Sequence, residues 1–263
     1  MTTAPAHAAY RDGAAWAHGP QAVYDRLADV ALATLPVDLT GTTALDAGAG
    51  TGAATRVLVA RGADVDAVDT SASMLDELHR QMGLQVRTVV GDVRDLPLAD
   101  GRYDVAVGAF VLNHLETPET GVAELVRVCR SAGRVIATTF GAEDHPVKPA
   151  VDGVLADYGF VTPEWYRTLK QELIPRLGTP QAFGDVGKRG GLVDVTVRAV
   201  DVDLSDLSPA VVVSYRLGLA HIAPFMQELD PETAAALHRD AETAIASLPP
   251  LRLPMLVLEG LAH

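Results

Sequence analysis

The stretch ALDAGAGTG, Ala44–Gly52, restricts the fold of this chain more than any other, because an acid and three glycines fall where a strand gives way to a helix. The preceding TTALDA is a short apolar run. The following AATRVLVARG carries apolar residues at helical spacing and stops at Gly62. Glycines at 48, 50 and 52 remove the Cβ atoms that would hold a ligand off the backbone, and amides exposed at the helix start attract a carboxylate or phosphate. The stretch reads as a nucleotide-binding turn.

Two ligand classes use such a turn. Gly48, Gly50 and Gly52 fit the GxGxG of S-adenosylmethionine enzymes, while Gly48, Gly50 and Ala53 fit the GxGxxA variant of a dinucleotide site. The second strand, DVDAVDT, ends in Asp69, whose carboxylate can accept two hydrogen bonds from ribose hydroxyls in either class. The third, QVRTVVGD, ends in Asp92, where an acid can accept from an adenine amino group. Nicotinamide enzymes have no comparable need there, so Asp92 favours the first class.

In this order the chain resembles the class I S-adenosylmethionine-dependent methyltransferases, in particular their small-molecule, type 11-like branch. LDAGAGTG matches the first motif, AVDTSASML the acidic second strand with its helix, and GDVRDLPL the adenine-side loop. YDVAVGAFVLNHL matches the fourth strand and its turn, and ELVRVCRSAGRVIATTF the helix and strand closing the first half. The resemblance covers about Val23 to Phe140, with a weaker echo in VDVTVRAVDVDL and PLRLPMLVLEG as sixth and seventh strands. It implies a Rossmann-like, doubly wound α/β fold with a seven-stranded, mainly parallel sheet, S-adenosylmethionine as cofactor and S-adenosylhomocysteine as product.

The resemblance also implies roles. Gly48, Gly50 and Gly52 would admit the methionyl end, and Asp46 would orient the turn and the amino group, directly or through water. Asp69 would hold the ribose, Met74 would lie against the adenine, and Asp92 with the Val93 amide would read the ring edge. Phe110 would wall the methyl-transfer position, with Tyr10, Trp16 and Tyr24 covering the cofactor. Met74 and the aromatics can equally be plain core.

A formal net charge of −13, spread along 263 residues, sets nucleic acid and anionic membranes aside as partners. The expected organisation is a single domain over 1–263: an N-terminal helical segment 1–40, a cofactor core 41–140, helical lid insertions 141–192 and 205–250, and last strands 193–204 and 251–259. Strands are expected at 42–47, 64–69, 85–90, 103–109, 133–140, 193–204 and 251–259, and helices near 53–61, 71–82, 118–130 and before Leu35. The insertions should fold over the carboxyl ends of the strands, where open α/β sheets bind ligands. MTTAPAHAAYRDGAA has no apolar core for a signal peptide and no run is long enough to span a bilayer, so a cytoplasmic protein is expected. Cys129, the only cysteine, reads as a buried residue on the helix ELVRVCR. Ser131–Ala132–Gly133 stands where the family places a turn with Pro and Gly.

The implied chemistry is attack of a nucleophile on a sulfonium methyl group, which needs alignment, exclusion of water and sometimes a base. His114, His145 and His221 are the base candidates, since an unperturbed pKa near 6.5 suits the task. Trp165, Tyr166, Tyr215, Arg216, Phe225 and Met226 are further lid candidates. The absence of an Asn-Pro-Pro-aromatic turn after the fourth strand sets aside methylation of amide or adenine nitrogens, and the absence of a Pro-Cys dipeptide sets aside a cytosine-attacking thiolate. The fourth strand ends in Gly108–Ala109 without a carboxylate cluster, so no metal is expected. The acceptor expected is a small, mostly apolar molecule, O-methylated in secondary metabolism, although carbon or nitrogen fits the same scaffold. A cyclase or a binding protein that keeps the methyl group is the alternative, and the apolar lid helices leave room for a homodimer.

Overall fold

The structure is a computed structural model and describes residues 10–263. Residues 1–9, part of the segment read for a signal peptide, lie outside the described residues. Two helices, α1 (Gly13–His18) and α2 (Gln21–Ala31), precede the sheet. Strand and helix then alternate through β1 (Thr43–Ala47), α3 (Ala53–Ala60), β2 (Asp64–Asp69), α4 (Ala72–Met82), β3 (Arg87–Val90), β4 (Tyr103–Ala109), α5 (Pro118–Val128) and β5 (Cys129–Phe140). The second half adds α6 (Val147–Asp157), α7 (Glu164–Thr168), a π turn over Leu169–Leu173, α8 (Pro180–Arg189) and β6 (Val193–Asp203). It ends with α9 (Pro209–Leu217), α10 (Ala223–Glu228), α11 (Pro231–Ile245) and β7 (Arg252–Leu261).

The seven strands lie in the order β3-β2-β1-β4-β5-β7-β6, parallel except for β7, which runs antiparallel to both neighbours. Alternate residues serve opposite faces. Ala44, Val105, Val107, Ile136 and Val257 join one buried cluster, whereas Leu45, Ala106, Val135, Ala137 and Leu258 join another. A sheet covered on both sides needs such continuous apolar runs. The chain steps outward from β1 to β3 and then returns to β4, so a crevice opens at the carboxyl ends of β1 and β4, where the strand order reverses.

Three local expectations change. Helix α5 stops at Val128, and Cys129 opens β5 instead of continuing the helix. Its side chain is buried all the same, and burial pushes the thiol up to about 12, which leaves it inert as a nucleophile. The expected turn at Ser131–Ala132–Gly133 is an irregularity within the strand: Ala132 has φ 61, and the β4–β5 register shifts between Tyr103 and Val105. A Cβ on Gly133 would stand 2.8 Å from the Arg130 carbonyl oxygen, so the close backbone approach requires glycine there. Finally, α8 covers the sheet rather than the site: it packs on α5, β6 and β7, with Phe183 and Val186 buried in the second cluster.

Candidate functional site

A cavity of about 1350 Å³ lies at the carboxyl ends of the strands. Its floor is the β1–α3 turn and the residues following β2, β3 and β4. Tyr10, Trp16 and Tyr24 form one wall, and the α6 start, α7, the π turn and the residues around Arg216 form the other.

Asp46, fully buried in β1, organises the floor. Its Oδ2 accepts hydrogen bonds from the Thr55 backbone N–H (2.8 Å) and hydroxyl (2.6 Å), which satisfies an amide in the first turn of α3. Its Oδ1, also buried, has no hydrogen-bond partner among the described residues. Burial raises the Asp46 pKa to about 6 despite the two Thr55 bonds. Asp69, at the end of β2, ties the turn down: Oδ2 accepts from Gly50 N–H at 2.8 Å and Oδ1 from Ser71 N–H at 2.8 Å. Each of its oxygens keeps capacity for a further donor, and burial raises its pKa as well.

The three glycines differ in what surrounds them. A Cβ on Gly48 would come within 2.6 Å of Val111, and one on Gly52 within 2.9 Å of Leu78. At Gly50, with φ 54, a Cβ would meet nothing within 4 Å and would project into open space beside the turn. Gly50 is thus the position where a ligand can approach the backbone, whereas Gly48 is needed for packing. Gly52 does not line the cavity at all.

Met74 and Val93 are buried and line the cavity, Met74 from the first turn of α4. Asp92 also lines it, but its carboxylate is clasped by the half-exposed Arg94 through Nε at 3.0 Å to each oxygen and Nη2 at 2.5 Å. An adenine amino group there would share an acceptor that already carries a cation. Phe110 follows β4 with φ 54, a left-handed conformation that costs a bulky residue about 1 kcal/mol or more. Its N–H donates to Thr138, and its ring lies 4.5 Å from Phe140 and 5.3 Å from Tyr24. Tyr24 continues through Trp16 (5.1 Å) to Tyr10 (5.3 Å), so an unbroken aromatic wall borders the cavity.

The histidines separate. His114 lies after β4, with the Tyr10 hydroxyl 3.4 Å from its Nε2. His145 accepts the Val147 N–H through Nδ1 at 3.3 Å, a bond that serves the start of α6. His221 stacks on Tyr166 with ring centroids 3.4 Å apart and 8° between planes. Burial, then Arg216, Lys148 and Lys170, lower its pKa to about 2, so the basicity that made it a candidate is gone. Trp165, Tyr166, Tyr215 and Arg216 line the cavity; Phe225 and Met226 do not, and Phe225 packs on Phe160 instead. Sequence reasoning missed Thr55, which fixes Asp46, and the buried Asn113, whose Oδ1 has no partner among the described residues. It also missed Lys148 and Lys170, two of only three lysines in the chain and both on the cavity wall. That scarcity was the available signal.

Residues 45–137 match the family model described as "Methyltransferase domain". A demethylmenaquinone methyltransferase from Beutenbergia cavernae is 35% identical over 161 residues, 57% of this chain and 67% of the relative. The chain spans about half the length of other curated relatives it matches, 51% and 45% of two further demethylmenaquinone methyltransferases, from Clavibacter sepedonicus and Paenarthrobacter aurescens. Among solved structures, a chain described as a "putative methyltransferase from antibiotic biosynthesis pathway" of Anabaena variabilis superposes with a TM-score of 0.61 at 18% identity, over 89% of this chain and 96% of that one. Fold and site thus define an adenosyl-binding α/β enzyme scaffold. The chain belongs to the class I S-adenosylmethionine-dependent methyltransferases.

Proposed function

We propose that this chain binds S-adenosylmethionine and transfers its methyl group, without a metal, to an oxygen of a small, largely apolar acceptor of secondary metabolism, in the cytoplasm. The observation that carries the cofactor reading is the unsatisfied, buried Oδ1 of Asp46 beside Gly50, whose missing Cβ leaves the turn open. A buried acceptor without a donor is costly, and an ammonium group of the ligand would offset that cost directly or through a water. Asp69 would accept from the ribose hydroxyls, and Met74 and Val93 would bound the adenine. When bound, the cofactor supplies an electrophilic methyl on a positive sulfur. The ring faces of Phe110, Phe140 and Tyr24 suit a cation and keep water from the reacting atoms. His114, His145 and His221 all line the cavity, and His114, which follows β4 as Phe110 does and has the Tyr10 hydroxyl 3.4 Å from its Nε2, is the base this reading favours.

Mass spectrometry of products formed with methyl-labelled S-adenosylmethionine and a panel of phenols, enols and carboxylic acids tests the proposal. Gain of one labelled methyl on oxygen is expected. A product of unchanged mass and altered connectivity would instead make this a cyclase, a reading favoured by one observation. The solved [4+2]-cyclase SpnF shares the fold, with TM-score 0.54 at 19% identity over 90% of this chain and 80% of that one.

A further inference from the structure

On the cavity wall, the charges of Arg216, Lys148 and Lys170 all act on His221, which stacks on Tyr166. Arg216 is 6% exposed in its side chain, donates from Nη2 to Asp152 at 2.7 Å, and has a buried Nε with no partner among the described residues. Lys148 and Lys170 reach the same carboxylate, Asp144, at 2.8 and 3.3 Å. Each cation is less exposed than its acid: Arg216 is 6%, Lys148 18% and Lys170 37% exposed, whereas Asp144 and Asp152 are 57% and 47% exposed. Arg216 and, less fully, Lys148 are therefore turned inward, and their acids outward. The other acids along this wall, Glu143, Glu164 and Glu172, are exposed. The buried charge of this wall is thus the Arg216 guanidinium, with Lys148 next to it in exposure, while every acid along it is exposed. Burying a guanidinium with an unsatisfied N–H is costly, and a bound oxyanion relieves it with a strong, charge-assisted hydrogen bond.

We propose that Arg216, with Lys148 and Lys170, forms an anion-binding end of the acceptor pocket, which takes a carboxylate on an otherwise apolar acceptor. This deepens the methyl-transfer reading and rests on it only for the word acceptor. The carboxylate anchors the molecule at Arg216 while its apolar body lies against Tyr166, Trp165 and Tyr215 toward Phe110.

Calorimetric titration with 2-naphthoate and its neutral isostere 2-naphthamide tests it, on the protein alone and with saturating S-adenosylhomocysteine. The carboxylate should bind about ten-fold more tightly or better. Arg216→Gln, and the double variant Arg216→Gln/Asp152→Asn that leaves no carboxylate unpaired, should abolish the preference while keeping S-adenosylhomocysteine affinity. Arg189→Gln, which removes an exposed charge outside the cavity, should preserve it. If the Arg216 variants fail to fold, Lys148→Gln and Lys170→Gln decide, each expected to reduce the preference about three-fold. Equal affinity for the two probes, binding of neither across carboxylates from acetate to naphthoate, or a preference that survives these substitutions would overturn the anion site. Loss of S-adenosylhomocysteine binding in the native protein would overturn the methyl-transfer reading instead, since the naphthoate comparison is made without it as well.

Discussion

Asp46 and Gly50 show how single residues here serve the fold and the ligand at once. One Asp46 oxygen stabilises the start of α3 through Thr55, and the other waits in the interior. Burial raises its pKa to about 6, above the ordinary 3.8, so its proton is held more tightly in the folded than in the unfolded chain. Its contribution to stability is therefore greatest below about pH 4 and is lost as pH rises through 6. An ammonium ligand prefers the ionised form and reverses the sign. The affinity for S-adenosylhomocysteine should climb about ten-fold between pH 5 and 7, and Asp46→Asn should flatten that climb in a calorimetric series. The glycines give a second test. Gly50→Ala should cost about 1–2 kcal/mol of stability from its left-handed φ and weaken S-adenosylhomocysteine further through a Cβ beside the turn. Gly48→Ala meets Val111 as well as the same strain, so its melting temperature should fall further than that of Gly50→Ala. The roles at the turn were legible because glycines and strand-end acids leave a local pattern. The different duties of Gly48 and Gly50 were not, because Val111 arrives from another strand end.

Elements repeat this contrast. Strands β2 and β4 were legible to the residue, as 64–69 and 103–109, because buried parallel strands are short apolar runs bounded by polar turns. The start of β5 was not: ELVRVCR keeps helical spacing, and only pairing with Tyr103 draws Cys129 into the sheet. Nor was the fate of α8, whose amphipathic pattern does not say which surface it covers. Strand contacts also bring together a polar knot invisible in one dimension. The buried Asp66 of β2 accepts the Tyr103 hydroxyl at 2.6 Å and faces Arg87 at 3.0 Å and Arg102 at 2.9 Å. Tyr103→Phe removes a hydrogen bond to a buried charge and should cost about 1–3 kcal/mol in chemical denaturation. Tyr103 lies outside the cavity, so S-adenosylhomocysteine affinity should not change.

At the scale of the molecule, the cofactor half and the acceptor half follow different logic. The first is built by consecutive strand ends, and so appears in chain order. The second is assembled from Tyr10, the α6 start, the π turn and the end of α9, segments separated by most of the chain. Its cations gain meaning only when packing turns them inward, and His221 loses its basicity for the same reason. None of the described helices is long and apolar enough to cross a membrane. The most direct test is calorimetric titration of the purified protein with S-adenosylmethionine, S-adenosylhomocysteine and NADH, alongside Asp69→Ala with its folding checked by circular dichroism. Saturable one-site binding of both adenosyl ligands, greatly weakened in a folded Asp69→Ala, is the predicted result. Binding of NADH with no binding of either adenosyl ligand would contradict it.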